Sequence, residues 1–514
     1  MLHAGAKELV QSFSSFFCNM SIIRIETLGC RLNQIESESI ARFFLDKDFS
    51  VRMDSVTASE AADCETRLCI VNTCAVTLKA EQKARRIIRL LLKKHPRALI
   101  VVTGCYAQLS SSEIEKLDER IVVVGGQIKS RLSELPALLK AYADGDETET
   151  TETAGNAETA CSKIEVLKNA VISLVKAKPV EKKDIAEDSF KLSTSSFIAH
   201  SRASLKIQDG CNNNCSFCAI HLARGKSVSI DVQTAINRVV ELERAGHSEV
   251  VLTSVNIAQY RGKYGDGYCN FTQLLRLLLE NTKTISFRIS SIYPEIIDDD
   301  FCDVICDRRV RPSFHISVQS GSDKILELMN RHYKACDVLA AVEKLKGAKT
   351  SAFISCDIIT GFPKETDGDF EQTLDLCRKC NFTWIHAFPF SERPGTAACG
   401  IKPKVPQSVS GNRARQITEL AIKNKIEYIE AFVGKELELV LEPPEQKTNA
   451  LEQNQTEPAG KYHGMTENFI HCELEGDNEL AAVKTKTVKV VITEVLKDRI
   501  TKGGDIEARA RIVK

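Results

Sequence analysis

The chain has 514 residues, with 69 basic and 69 acidic side chains and a formal net charge of zero. That balance excludes a protein that grips nucleic acid by bulk charge, but not one with a local basic patch. The 19 cysteines, an odd number in a long chain with no recognisable signal peptide, exclude a secreted disulfide framework, and no apolar run of about 18 residues is present to form a membrane-spanning helix.

A hydrophobic content of 43% is ample for several packed cores, and the length suggests about three to four domains. Residues 1–20 are mildly apolar, without a basic start or a small-residue cleavage site. Met20 stands just before the first strand, and translation could begin there.

Residues 22–125 alternate strand and helix. Ile22–Ile25, Leu68–Val71, Ala98–Val102 and Ile121–Val124 are expected strands, and Ile35–Leu45, Lys79–Lys94 and Ser112–Leu117 are expected helices. Such alternation implies βαβ units and a parallel sheet. Cys30, Cys74 and Cys105 follow the first, second and third of these strands. Ligands of open parallel sheets bind outside the carboxyl ends of the strands. The three thiols could therefore converge on one site, or be unrelated loop cysteines. Gly29 and Gly104 beside two of them would let backbone approach a bulky group. Lys83, Arg85, Arg86, Arg89, Lys93 and Lys94 on the second helix are either a solvated face or a contact for RNA phosphates.

From Tyr142 to Cys161 the composition turns acidic and threonine-rich, which predicts a linker or insertion. An apolar helical pattern follows around Ile172–Val175, then mixed charge near Pro179. From Ala203 to about Pro389 six strand candidates alternate with helical patterns: Leu205–Ile207, Val250–Leu252, Ile285–Ile289, His315–Val318, Ile354–Ile359 and Trp384–Ala387. Six βα units suit a full or partial barrel. Short alternating runs in the tail, near 436–440, 469–474, 484–492 and 506–513, predict a small β-barrel interrupted by a polar loop near 443–460. Lys484, Lys486 and Lys489 alternate on one strand, either as solvated surface or as an RNA-binding stripe.

The loop after the first barrel strand reads Gly210-Cys211-Asn212-Asn213-Asn214-Cys215-Ser216-Phe217-Cys218, a C-x3-C-x2-C pattern. Thiolates this close on one loop can grip a single cluster. Three ligands are one short of the four that usually close a four-iron cluster, so one iron stays open. Cys64, Cys69, Cys161, Cys269, Cys302, Cys306, Cys336, Cys356, Cys377, Cys380, Cys399 and Cys472 are expected to be small buried hydrophobes in a reducing cytosol. Cys377 and Cys380 form a C-x2-C on a helical pattern, but no second pair lies near to complete a zinc site.

With its aromatic Phe217 before the last thiol, the 210–218 loop resembles the cluster motif of radical S-adenosylmethionine enzymes. Added to the three upstream cysteines and the β tail, it makes the chain resemble the methylthiotransferase family. The match is closest to the group that acts on threonylcarbamoyladenosine of tRNA. It rests on Thr27–Gln34, Val71–Thr77, Val102–Gln108, Arg288–Ser291, His315–Ser322, Met329–Arg331, Asp357–Pro363 and Ser391–Thr396. Departures are His221-Leu222 in place of a proline-tyrosine pair, and Lys364 and Ser254 in place of glycines.

The resemblance implies a methylthiotransferase cluster domain (21–140), an insertion (141–196), a radical domain (197–430) that is a partial (βα)6 barrel, and an RNA-binding TRAM-like barrel (433–514). It implies two 4Fe-4S clusters, one on Cys211, Cys215 and Cys218 and an auxiliary one on Cys30, Cys74 and Cys105. S-adenosyl-L-methionine would bind near Phe217, Ser291 and Gln319, though the latter two could equally be turn caps. The implied reaction is radical methylthiolation of carbon 2 of N6-threonylcarbamoyladenosine at tRNA position 37, in the anticodon loop. No protein side chain is singled out as the catalyst. A sulfur donor, a reductant such as flavodoxin or ferredoxin, and a cytoplasmic location go with it. Sister activities on isopentenyladenosine tRNA or a ribosomal-protein aspartate, and an RNA-binding iron–sulfur sensor without turnover, are the competing readings.

Overall fold

The computed structural model describes residues 22–145, 156–176, 189–195, 197, 202–442, 462–475 and 487–513. The expectations on residues 1–20, the acidic run 146–155, the stretch near Pro179, the loop near 443–460, and Lys484 and Lys486 lie outside the described residues, as does the side chain of Cys161. The chain divides into two compact units. One holds the described residues up to 199 with 209–213 and 218–228; the other holds 202–208, 214–217 and those from 229 on.

In the first unit the elements run β1 (Ile22–Thr27), α1 (Arg31–Leu45), β2 (Ser50–Arg52), β3 (Thr66–Thr73), α2 (Leu78–Lys94), β4 (Leu99–Gly104), α3 (Cys105–Leu109), α4 (Ser111–Glu115), β5 (Ile121–Val123), α5 (Leu135–Gly145), α6 (Asn156–Lys176) and α7 (Ile220–Arg224). The strands form one parallel sheet in the order β2-β1-β3-β4-β5. Alternate side chains enter opposite cores, as the two-residue strand period requires. Ile23, Ile25, Ile70 and Val101 pack with Ile40 and Phe44 of α1; Val71, Ile100 and Val102 pack with Ala84, Ile88 and Leu91 of α2. Part of the stretch expected as linker is α6, whose Leu167, Ala170, Val171 and Leu174 are buried in the first of these cores. Its apolar stripe, not the acidic run before it, decides its state.

In the second unit β6 (Ala203–Lys206), β7 (Glu249–Thr253), β8 (Ser286–Ile289), β9 (Ser313–Gln319), β10 (Phe353–Thr360) and β11 (Trp384–Pro389) alternate with helices. The longest of these are α8 (Val232–Arg244), α9 (Phe271–Asn281), α10 (Ala335–Ala348), α11 (Asp367–Cys380) and α12 (Gln407–Glu430). Two parallel three-stranded sheets, β6-β7-β8 and β9-β10-β11, are joined by an isolated bridge from Ile292 to Ile316. The result is the expected partial barrel. The tail, β12 (Glu436–Glu442), β13 (His463–Thr466), β14 (His471–Glu475), β15 (Thr487–Val495) and β16 (Ala508–Ile512), closes into a barrel in the order β12-β13-β14-β16-β15. Leu437, Leu439, Leu441, Val490 and Ile492 fill it, packed with Ile429 of α12.

Cys69, Cys269, Cys356, Cys377, Cys380 and Cys472 are buried, as expected of small apolar side chains. Cys377 and Cys380 lie inside α11, where burial pushes both thiols up, Cys380 to about 12. Cys64, Cys306 and Cys336 are instead exposed. They sit in a loop and beside helix ends, where no packed face claims a small side chain.

One buried ion cluster ties the partial barrel to the tail barrel. Glu249 takes Arg288 Nε at 2.8 Å and Arg311 Nε at 3.1 Å. Arg311 also reaches Glu438 at 2.7 Å, and Arg288 Nη2 donates to the Thr466 carbonyl at 3.2 Å. Burial alone would raise the Glu249 carboxyl, but the two guanidiniums outweigh it and hold it well below the usual carboxylate range. A depressed folded value gives stability that is complete above the ordinary value of about 4.5 and is lost as pH falls toward the folded one. Glu249→Gln should thus unfold at a lower temperature at neutral pH, by the ~3–5 kcal/mol of a broken buried pair. Its midpoint should also fall less than the wild type's between about pH 5 and pH 3. Parallel pH series of thermal melts would check both.

Candidate metal centres

The strand order β2-β1-β3 makes the gap between β1 and β3 the switch point of a doubly wound sheet, where such sheets bind ligands. Cys30 and Cys74 leave the two strands that flank it, and Cys105 opens α3 at the end of β4. Cys30 is exposed at the N-terminus of α1, whereas Cys74 and Cys105 are buried. The three thiols are electrostatic neighbours. Burial, then the charge of Cys30 and Cys105, pushes the Cys74 thiol up to about 11, against the Val76 N–H and Arg224. Burial likewise raises Cys105, with Arg224 and Lys129 pulling the other way.

The loops that carry them are pinned to one another. Asn33 Nδ2 donates to the Leu28 carbonyl at 2.8 Å and the Thr73 carbonyl at 3.1 Å. Asn72 Nδ2 donates to the Asn33 carbonyl at 3.0 Å, and Thr73 Oγ1 to the Thr103 carbonyl at 2.6 Å. Thr77 Oγ1 caps α2 by accepting from the Ala80 N–H at 3.1 Å, which ends the Cys74 loop. Gly29, at φ +105°, allows the close approach: a Cβ there would lie 2.8 Å from Cys74 Sγ.

Beneath the thiols is a buried charge network that no sequence period announced. Arg224 of α7 reaches Asp209 Oδ1 at 2.8 Å, Glu36 Oε1 at 3.2 Å and Asn33 Oδ1 at 2.9 Å. Lys129 binds the other oxygen of Glu36. Two cations thus stand under three thiols that must ionise to hold iron. The donor set, the glycine clearance and the two cations fit a cluster with three protein ligands.

The C-x3-C-x2-C loop has residues in both units. In the first, Gly210 at φ +70° brings the loop against 225–226, and Cys211 N–H donates to the Gly225 carbonyl at 3.0 Å. The thiols of Cys211 and Cys218 accept from the N–H groups of Asn213, at 3.4 Å, and Ile220, at 3.5 Å. These bonds suit sulfur that carries negative charge. In the second, Cys215 is buried and Ser216 is fixed by three bonds: to the Met329 carbonyl at 3.0 Å, to the Leu328 carbonyl at 2.7 Å, and from the Ala398 N–H at 2.7 Å. Phe217 packs against Ile325, Met329, Phe362, Phe390 and Ala398. Arg331 lies 5.6 Å from the Phe217 ring centroid, with Tyr293 and Tyr333 also around it.

Gln319 ends β9 at φ +70°, a left-handed conformation rare outside glycine and characteristic of functional loops. Ser291 is half-buried just past β8. Both lie at the carboxyl ends of their strands. From β9 His315 Nε2 meets Asp357 of β10 at 3.1 Å, and the rings of His315 and His386 of β11 are 5.6 Å apart. No sequence period singles out these histidines or Arg331, although His315 and Arg331 stand inside motifs that carry the family resemblance. His221 and Leu222, the departure from the family pattern, form part of α7, and the Leu222 carbonyl accepts from Gln127 at 3.3 Å.

A parallel partial barrel with three cysteines after its first strand defines a radical S-adenosylmethionine protein, and residues 205–377 match the model of the radical SAM superfamily. Residues 22–126 match a second model, described as uncharacterized protein family UPF0004. The chain is 42% identical to the threonylcarbamoyladenosine tRNA methylthiotransferase MtaB of Treponema pallidum, over 82% of this chain and 91% of that one. It is 32% identical to the protein of the same name from Aquifex aeolicus, over 91% and 100%. A tRNA-2-methylthio-N(6)-dimethylallyladenosine synthase of Histophilus somni is 29% identical over 83% and 82%. Among solved structures, the radical methyltransferase TsrM of Kitasatospora setae aligns with a TM-score of 0.47 at 14% identity, covering 74% and 77% of the two chains. The chain belongs to the radical S-adenosylmethionine methylthiotransferase family. No helix among the described residues is long and apolar enough to cross a membrane.

Proposed function

We propose that this chain methylthiolates carbon 2 of N6-threonylcarbamoyladenosine in the tRNA anticodon loop. The observation that carries the reading is the meeting of Cys30, Cys74 and Cys105 at the carboxyl ends of β1, β3 and β4, in a chain that also has the radical loop. In this reading Cys211, Cys215 and Cys218 hold one 4Fe-4S cluster and the three strand-end cysteines hold a second. Once loaded, the clusters and S-adenosylmethionine supply the radical, the sulfur and the methyl group that an inert C–H bond needs.

The chain's own part is binding and exclusion. Cys74 and Cys105 offer buried thiols to the auxiliary site and Cys30 an exposed one, and Asn33, Asn72 and Thr73 tie together the loops that carry them. Phe217, Ser291 and Gln319 would contact adenosylmethionine; the partial barrel supports this with Ser291 and Gln319 at strand ends and Phe217 beside Arg331. A flavodoxin or ferredoxin as electron source, a separate sulfur donor, and a reducing cytoplasm that keeps the thiols free complete the reading.

The tRNA-binding face is assigned to α2. Its apolar side is buried through Ala84, Ile87, Ile88 and Leu91, while Lys83, Arg86, Arg89 and Lys93 are exposed at three- and four-residue spacing. Arg85 is engaged with the Tyr106 hydroxyl at 2.7 Å and Lys94 with a backbone carbonyl, so they are not part of this face. Replacing the four exposed residues by Ala should weaken tRNA binding and flatten its salt dependence by about one unit of slope for each phosphate no longer neutralised. Binding measured over a salt series checks this. Lys489, by contrast, is paired with Glu436 at 2.5 Å and is not assigned to RNA.

The deciding experiment is mass spectrometry of tRNA nucleosides from cells with and without the gene. The 2-methylthio form of threonylcarbamoyladenosine should vanish on deletion and return on complementation. Loss of methylthiolated isopentenyladenosine instead would assign the sister activity.

A further inference from the structure

The tail barrel carries another cluster of ligating side chains, one that includes none of the six cysteines of the two proposed iron sites. Glu442 ends β12, His463 begins β13 and His471 begins β14. The strand register sets Glu442 directly opposite His463, and His463 opposite Glu473, two residues along β14 from His471. All three side chains therefore share one face. Both imidazoles turn Nε2 toward the same carboxylate oxygen, Glu442 Oε2, at 2.9 Å from His471 and 3.6 Å from His463. The side chains are only 16–18% exposed.

The remaining polar atoms already have partners of the kind that orient metal ligands. Arg202 Nη2 donates to Glu442 Oε1 at 3.0 Å, which leaves Oε2 to the histidines. His471 Nδ1 lies 3.0 Å from the Asp505 carbonyl oxygen. A carbonyl only accepts, so Nδ1 carries the hydrogen, and the neutral ring presents a lone pair at Nε2. That lone pair faces a carboxylate oxygen at hydrogen-bond distance, and the His463 ring approaches the same oxygen. Acceptors facing one another need a cation between them. A proton can satisfy one pair; a divalent ion can take all three donors at once. Donors about 2.0–2.1 Å from a tetrahedral ion lie about 3.3 Å apart, between the two separations seen here.

We propose that Glu442, His463 and His471 form a binding site for a divalent cation of the zinc class. Two imidazoles and one carboxylate select borderline metals over calcium or magnesium, which prefer all-oxygen shells. Three ligands leave a fourth position for water or for another group. The ion would clasp the first three strands of the barrel at the point where the chain leaves β12 for residues 443–461 and returns in β13. Through Arg202 the clasp would extend to the start of the partial barrel.

The test uses the full-length protein with its iron–sulfur clusters loaded, so that the cysteines are occupied, washed with chelator and then given one equivalent of zinc. About one zinc per chain should be retained. Its X-ray absorption should show a nitrogen and oxygen shell at about 2.0–2.1 Å with imidazole scattering, and no sulfur at about 2.3 Å. His471→Gln and His463→Gln should each weaken retention at least about 100-fold. Failure to retain zinc would mean that a proton alone bridges the cluster and would overturn the proposal. So would a sulfur shell, or retention unchanged in both variants. Should a variant fail to fold, the wild-type absorption spectrum alone decides between nitrogen and sulfur ligands.

Discussion

Replacing Cys30, Cys74 or Cys105 by Ala should abolish methylthiolation while leaving the enzyme able to cleave adenosylmethionine. The two cysteine sets have different chemical duties in the proposed reaction, and the chain separates them. Cys30, Cys74 and Cys105 belong to the strand ends of the parallel sheet, whereas Cys211, Cys215 and Cys218 share one loop. Wild-type protein, reconstituted without oxygen, should carry about eight irons, four per cluster. Each strand-end variant should carry about four and still release deoxyadenosine in the presence of a reductant. The Cys211, Cys215 and Cys218 variants should also carry about four but release none. Iron analysis and chromatography of the small-molecule products read both quantities from one preparation. Eight irons in Cys74→Ala would remove the auxiliary assignment. Absence of deoxyadenosine from the wild type would favour an iron–sulfur sensor.

The parts of this site that could be read from sequence are those that follow strand ends. The second and third of the strands that carry them hold unbroken apolar runs, Leu68–Val71 and Leu99–Val102, and the first is apolar but for Arg24 up to Ile25, so Cys30, Cys74 and Cys105 could be placed without knowing the sheet order. The order itself could not be read. β2 has three residues, Ser50–Arg52, too few to show a period, and it is the strand that puts the switch point beside Cys30 and Cys74. Helix α6 was legible only through its apolar stripe near Ile172–Val175; its first residues, from Asn156, read with the acidic stretch before them. The supporting polar residues left no pattern at all: Asn33 and Asn72 stand inside the family motifs, but their roles are bonds to carbonyls 40 and 39 positions away. The barrel histidines are illegible for the same reason. Glu442 and His463 are separated by a polar stretch that reads as loop, and only the closed barrel makes them opposite one another.

Arg224 is the residue whose loss should do most damage without touching a cluster ligand. Its side chain is only 5% exposed and is shared by Asp209, Glu36 and Asn33, and burial opposes its charge while the two carboxylates hold it ionised. Removing it with Arg224→Met would take the guanidinium from both Asp209 and Glu36, while Lys129 stays on Glu36. Breaking a buried ion cluster from one side costs about 3–5 kcal/mol, a large fraction of the ~5–15 kcal/mol that holds a domain together. The loss would also fall on Asn33, whose amide spaces the Cys30 and Cys74 loops, and on the thiols, since Arg224 draws down both Cys74 and Cys105. Arg224→Met should therefore melt at a lower temperature and reconstitute with fewer irons. Arg224→Lys keeps the charge but not the planar fork that serves three acceptors, and should fall between the two. If the three proteins reconstituted to equal iron content with equal melting points, the network would have no part in building the auxiliary site. A graded loss, with the lysine variant intermediate, would identify Arg224 as the positioning residue on which the thiol triad rests.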